Sequence, residues 1–194
     1  MPRIEIDLNP VISITTDAIG QPGQRVFYIQ GKTDERVVTV IVEKVQIQTL
    51  ALGVDDFLTE IQQRYPDLST ITSSYDEALM RIEPPVDPLF RVGELGLAYD
   101  ADHDLAVLVV REIQNPENAE NAESEGEAST GMEAEPEAGE EASVVRFWCT
   151  REQLKALSVW GLEVSGRGRP ICPYCGQPMD PSGHFCPKRN GHKH

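Results

Sequence analysis

Cys172 and Cys175 enclose Pro173 and Tyr174, Gly176 follows, and His184 and Cys186 come within a short stretch that also holds Pro178, Pro181 and Gly183. Two thiolates so spaced can grip one ion from a tight turn, and side chains at i and i+2 of an extended segment point the same way. Three sulfurs and one imidazole suit zinc, and four ligands in so short a loop make a closed, structural site. The spacing predicts a zinc-ribbon-like metal tail over residues 166–194 with Cys172, Cys175, His184 and Cys186 as ligands. His192 and His194 are also within reach of the ion; His184 fits best through its extended relation to Cys186.

Cys-Pro-Tyr-Cys is also the active-site string of glutaredoxin-type oxidoreductases, but that chemistry needs a large βαβ domain after the motif. Only 19 residues follow Cys175, rich in Pro and Gly, so a structural metal is favoured over a redox pair, a disulfide or an iron–sulfur cluster. Cys149 lies in an apolar, strand-like run and reads as a small buried hydrophobe. His103, flanked by Asp100, Asp102 and Asp104, reads as part of a solvated turn, since the glycine and final glutamate of a calcium loop are missing. Gly166-Arg-Gly-Arg-Pro170 offers a possible anion cradle without the strand-to-helix setting that phosphate loops use. No nucleophile elbow, His-Glu-x-x-His helix or paired Ser and His completes a catalytic set, so no catalytic residue is assigned and an enzyme is disfavoured.

The elements that must position this tail follow from periodicity. Residues 3–8, 11–16, 25–30 and 36–42 alternate or run apolar and are rich in β-branched and aromatic side chains, which predicts four strands in an antiparallel meander. Gly20-Gln-Pro-Gly23 carries the chemistry of a type II turn. Over residues 43–65, Ile47, Leu50, Val54, Phe57, Leu58, Ile61 and Tyr65 recur at helical spacing. After a Pro-containing loop come strands at 90–92, 95–99 and 105–113, with a hairpin turn at 100–104, and another at 144–149. Thr150 and Gln153 make a capping box for a second helix through about Val164. Each half thus places paired strands before one amphipathic helix, the trace an internal duplication would leave.

Charge divides the chain. Its net charge is −15, and the stretch 112–143 holds eleven glutamates with no Lys, Arg or Asp. Low hydrophobicity, no aromatics and scattered Gly and Pro predict a disordered acidic insertion there. The segment from Gly166 has the opposite sign, with Arg167, Arg169, Lys188, Arg189 and Lys193 against Asp180. No run of about 18 apolar residues predicts a membrane helix, and the N-terminus lacks the basic and apolar regions of a signal peptide. A cytoplasmic location is expected, without membrane association.

Several segments together resemble a known family: 20–30 (Gly-Gln-Pro-Gly-Gln-Arg-Val-Phe-Tyr-Ile-Gln), 40–44, Phe90-Arg-Val-Gly93 with Leu97-Ala-Tyr-Asp100, and the tail from Gly168 through Gly191. They are similar to the bacterial family catalogued as domain of unknown function 3090, across nearly the whole chain and in the same order. Members place a variable, often acidic insertion before the last strand and helix. Their Gly-His-x-Cys-Pro motif corresponds to Gly183 through Pro187, which favours His184 as ligand over His192. The family's genes often accompany a histidine-phosphatase-like and a kinase-like protein, implying a shared pathway.

The expected architecture is an α+β domain over residues 1–111 and 144–165, an antiparallel sheet packed by two helices, with the acidic insertion and the zinc tail as appendages. The expected function is that of a non-catalytic interaction or regulatory protein with a protein partner. The alternatives are a nucleic-acid-associated protein, using the basic tail with Tyr174 and Phe185 as stacking residues, or a metal-dependent enzyme with an open zinc position. The sequence leaves the oligomeric state open.

Overall fold

Four short apolar runs become β1 (Glu5–Leu8), β2 (Ser13–Ile19), β3 (Val26–Lys32) and β4 (Val37–Val42). The computed structural model describes residues 3–71, 75–114, 142–179 and 184–188. Helix α1 (Lys44–Arg64) follows β4 directly, and a 3-10 turn at Glu77–Met80 leads to β5 (Pro88–Asp100), β6 (Leu105–Glu112), β7 (Val144–Cys149) and α2 (Arg151–Gly166). The insertion expected to be disordered falls almost wholly at 115–141, outside the described residues.

The protein is α+β with one seven-stranded sheet in the order β1-β7-β6-β5-β4-β3-β2. That sheet is mixed, which corrects the antiparallel expectation: β1 runs parallel to β7, and β4 parallel to β5. The meander holds for β2, β3 and β4 but excludes β1. Pro10 is the physical reason. It has no N–H to give to a ladder, so pairing breaks between β1 and β2 and the chain changes neighbours there. Between β2 and β3, Gln24 N–H donates to the Gln21 carbonyl at 2.8 Å with Gly23 at φ +95, the expected type II turn. The two strands expected at 90–92 and 95–99 form the single β5, since Gly93 marks an irregularity in its register rather than a break.

Consecutive strands at opposite edges force the sheet to curl. Five Cα steps from Leu8 to Ser13 reach at most about 19 Å, whereas six gaps of about 4.8 Å would part the edges of a flat sheet by about 29 Å. Backbone bonds show the closure: Val11 N–H donates to Trp148 of β7 at 2.8 Å, and the adjacent Ile12 N–H to Lys32 of β3 at 2.7 Å. Across the interior, Gly31 of β3 faces the fully buried Phe147 of β7, and a Cβ on Gly31 would lie 2.3 Å from the Phe147 ring. Neither backbone nor ring can yield that much in a packed core. Gly31→Ala is expected to destabilise the protein by about 2–3 kcal/mol, read as a lower urea midpoint at unchanged slope.

The second half repeats the first, three strands further round the sheet. Each unit has a strand whose start pairs in parallel and whose remainder joins a three-stranded antiparallel meander, followed by a helix. The segment β1–β2 matches β5, β3 matches β6, β4 matches β7, and α1 matches α2. The correspondence holds residue by residue at the helix starts. Both carry a capping box, Glu43 with Gln46 and Thr150 with Gln153. The side-chain amide of Gln46 then reaches the carbonyls of Val92 and Gly93, as that of Gln153 reaches Val11 and Ile12. The two helices pack on each other, with Gly161 of α2 close to Ile47 of α1 and Thr16 of β2.

Arg151, the first residue of α2, is 2 % exposed. Its guanidinium donates to both carboxylate oxygens of Asp104, at 2.7 and 3.1 Å, and to the Ser69 carbonyl at 3.1 Å, while Tyr99 Oη donates to Asp104 at 2.7 Å. Asp104 is therefore a structural partner rather than a solvated turn acid. The Arg151 bonds hold its carboxyl below the usual range, and burial with the Asp104 bond pushes the Tyr99 phenol up to about 12. A depressed carboxylate contributes stability that is present above its unfolded value, near 4, and lost as pH falls through the folded one. Asp104→Asn is expected to cost about 1–2 kcal/mol at neutral pH, discounted because Asp104 is half exposed, and to flatten the acid limb of a stability–pH curve. Thermal melts from pH 7 to pH 3 check both.

Candidate metal centre

Helix α2 ends at Arg167, whose backbone N–H donates to the Glu163 carbonyl at 3.1 Å. Its guanidinium binds Glu77 and Glu163 and lies 4.8 Å over the Trp160 ring. These contacts fix the point where the tail leaves the sheet and helices. They also engage one of the two arginines of the segment considered as an anion cradle. The other, Arg169, lies beside Gly23, while Gly168 sits near Arg25 and Lys44.

Beyond Pro170 the chain makes a small loop. Ile171 bridges Pro178 antiparallel, and Met179 N–H donates to Pro170 and Cys172 N–H to Gln177, both at 2.8 Å. Gly176 N–H donates back to the Cys172 carbonyl at 2.9 Å, with Gly176 at φ +74, a backbone setting that favours glycine. This turn brings Cys172 and Cys175 to one side. The segment holding His184 and Cys186 supplies the other.

The structure brings Cys172, Cys175, His184 and Cys186 together, with their ligand atoms all within 4.8 Å of one another. Cys172 Sγ and Cys186 Sγ are 3.8 Å apart, and Cys175 Sγ lies 3.0 Å from His184 Nε2. A tetrahedral ion with metal–sulfur bonds of about 2.3 Å holds its sulfurs about 3.8 Å apart, so the donor set fits such an ion. Cys172, His184 and Cys186 are buried and Cys175 partly so. Backbone N–H groups of Cys175, and then Tyr174, point at Cys172 and bring its thiol down to about 6, whereas burial pushes Cys186 up. A thiolate at neutral pH is the form a metal takes. His192 and His194 lie outside the described residues.

The remaining candidates are placed elsewhere. His103 is exposed and bonded to Asp100, whose carboxylate raises its basicity. Cys149 is fully buried in β7, and burial pushes its thiol up to about 12, as expected of a packed hydrophobe. Tyr174 and Phe185 are both exposed, next to the cluster. Sequence reasoning missed the Arg151–Asp104–Tyr99 network, because partners 47 residues apart leave no local pattern.

A curled mixed sheet clasped by two helices, with a C-terminal Cys3His cluster that could hold a metal ion, defines a small α+β protein with a candidate metal centre. The family model described as "Protein of unknown function (DUF3090)" matches residues 7–186, and the chain belongs to that family. No curated protein and no solved structure matches it.

Proposed function

We propose that this is a cytoplasmic zinc-binding protein whose tail is a non-catalytic interaction or regulatory module. The observation that supports the reading is the clustering of four protein donors in one place. Four donor atoms lie within 4.8 Å of one another, the number and type of ligand with which structural zinc sites are closed. Around this buried set stand the exposed side chains of Ile171, Tyr174 and Phe185. Apolar groups held outward on a rigid loop suit recognition by a protein partner. Among the described residues no helix is long and apolar enough to cross a membrane.

X-ray absorption on the purified protein, after metal quantification, tests the centre. One zinc per chain with three sulfurs and one nitrogen supports the reading; a bound water in the first shell overturns it in favour of an enzyme with an open position. Capture from native lysate then tests the role, with a specific partner expected for the metal-loaded protein and lost on chelation. No metal-dependent partner would count against it. The nucleic-acid reading is weakened by Arg167, whose charge is already met by Glu77 and Glu163.

A further inference from the structure

The repeated halves differ at one pair of interfaces. Between α2 and β2 the space is filled by Trp160, which is fully buried, donates its indole N–H to the Thr16 carbonyl at 2.7 Å and meets the Tyr75 ring edge-on at 5.6 Å. The equivalent interface lies between α1 and β5. Counting from the matched residues Val42 and Cys149, Glu43 and Thr150, and Gln46 and Gln153, the counterpart of Trp160 is Gly53. Counting along β2 and β5 from Ala18 and Tyr99, whose partners Phe27 and Ala106 also correspond, the counterpart of Thr16 is Leu97.

Gly53 is an exposed glycine in the middle of a 21-residue helix, and a Cβ placed on it meets nothing within 4 Å. Such a residue weakens a helix without any turn or close contact to require it. In place of the indole there is an open groove of about 430 Å³, its apolar side made by Val45, Leu50, Leu95 and Leu97, with Thr49 and Glu94 also in its lining. At its end the Gln46 amide holds the carbonyls of Val92 and Gly93. One half of the protein thus displays, in covalent form, what fills this interface in the other: a flat bicyclic aromatic group with its ring N–H directed at the strand.

We propose that the α1/β5 groove is a binding site for a small planar aromatic ligand of indole size bearing a ring N–H. Val45, Leu50, Leu95 and Leu97 supply burial for the ring faces. The backbone of β5 around Leu97, equivalent to that of Thr16, supplies the acceptor. The ligand stands where Trp160 stands in the repeat, and the wide helix–strand gap at Gly53 is the space it needs.

Indole itself is the probe, titrated into the full-length, metal-loaded protein labelled at its Val and Leu methyls. Saturable shifts are expected at Val45, Leu50, Leu95 and Leu97, with none at Leu154 or Leu157 of α2. Naphthalene, which keeps the area and lacks the N–H, is expected to bind about fivefold more weakly. Gly53→Trp supplies the indole from the helix and is expected to abolish the shifts while leaving the spectrum beyond the groove unchanged. Should that variant fail to fold, the wild-type titration still decides. Non-saturable shifts, shifts scattered over the surface, or equal affinity in a folded Gly53→Trp protein overturn the proposal. So would shifts of the same methyls with protein concentration alone, which would assign the groove to a second copy of the chain.

Discussion

Cys186→Ser is expected to remove the bound metal and release the tail while leaving the sheet and helices folded. Cys186 is fully buried, sits 3.8 Å from Cys172 and is one of the four candidate ligands among the described residues. The buried side chains described beyond α2 are Cys172, His184 and Cys186, which are themselves candidate ligands. A loop with no apolar core among its described residues would owe its order to an ion held there, which makes metal binding and local folding one equilibrium. The main core, by contrast, ends at Val164 and draws nothing from the tail. Trypsin should cut rapidly after Lys188 in the variant and in chelated wild type, and slowly in the metal-loaded protein. The urea midpoint of the remainder should be unchanged. Loss of the whole fold together with the metal would show that tail and sheet are a single cooperative unit.

Trp160→Ala should give the largest loss of global stability, about 3–5 kcal/mol. The indole is fully buried, and its removal opens a cavity between α2 and β2 lined by backbone and ring edges that cannot collapse readily. It also leaves the Thr16 carbonyl without its indole donor. Arg81 and Arg167 lie over the same ring, at 5.7 and 4.8 Å, and would lose that contact. Trp160→Phe keeps much of the volume and loses the N–H, so it should fall between the two. Equilibrium urea unfolding, followed by far-UV dichroism rather than by tryptophan emission, checks the order.

How far these features were legible in the sequence depends on the range of the interactions behind them. Helices α1 and α2 were readable because their apolar stripe and, for α2, the Thr150–Gln153 capping box are local. The tail cluster was readable for the same reason, since its turn is closed within ten residues, from Pro170 to Met179. The parallel pairing of β1 with β7 was not, because nothing near Glu5 points to Val144. Nor was Arg151 legible as a buried residue, since only Asp104 and Ser69, distant in sequence, make its burial tolerable. The repeat lay between these cases. Its outline of strands then helix showed, but the equivalence of Gly53 and Trp160 required the strand register.

Because the two units are joined in one chain, they escape a constraint that binds symmetric dimers. In a homodimer built from single three-strand-and-helix units, each substitution appears twice, and an isologous contact must suit itself. A tryptophan closing one helix–strand seam would close both, and a long connection between the second and third strands would emerge on both sides. Covalent fusion lifts that rule position by position. It permits Trp160 opposite Gly53, a four-residue connection at 33–36 opposite the long one at 113–143, and a tail with a candidate metal centre on one helix alone. The asymmetry of this molecule is therefore where its separate tasks can reside, while the shared frame of strands and capped helices keeps both halves in register.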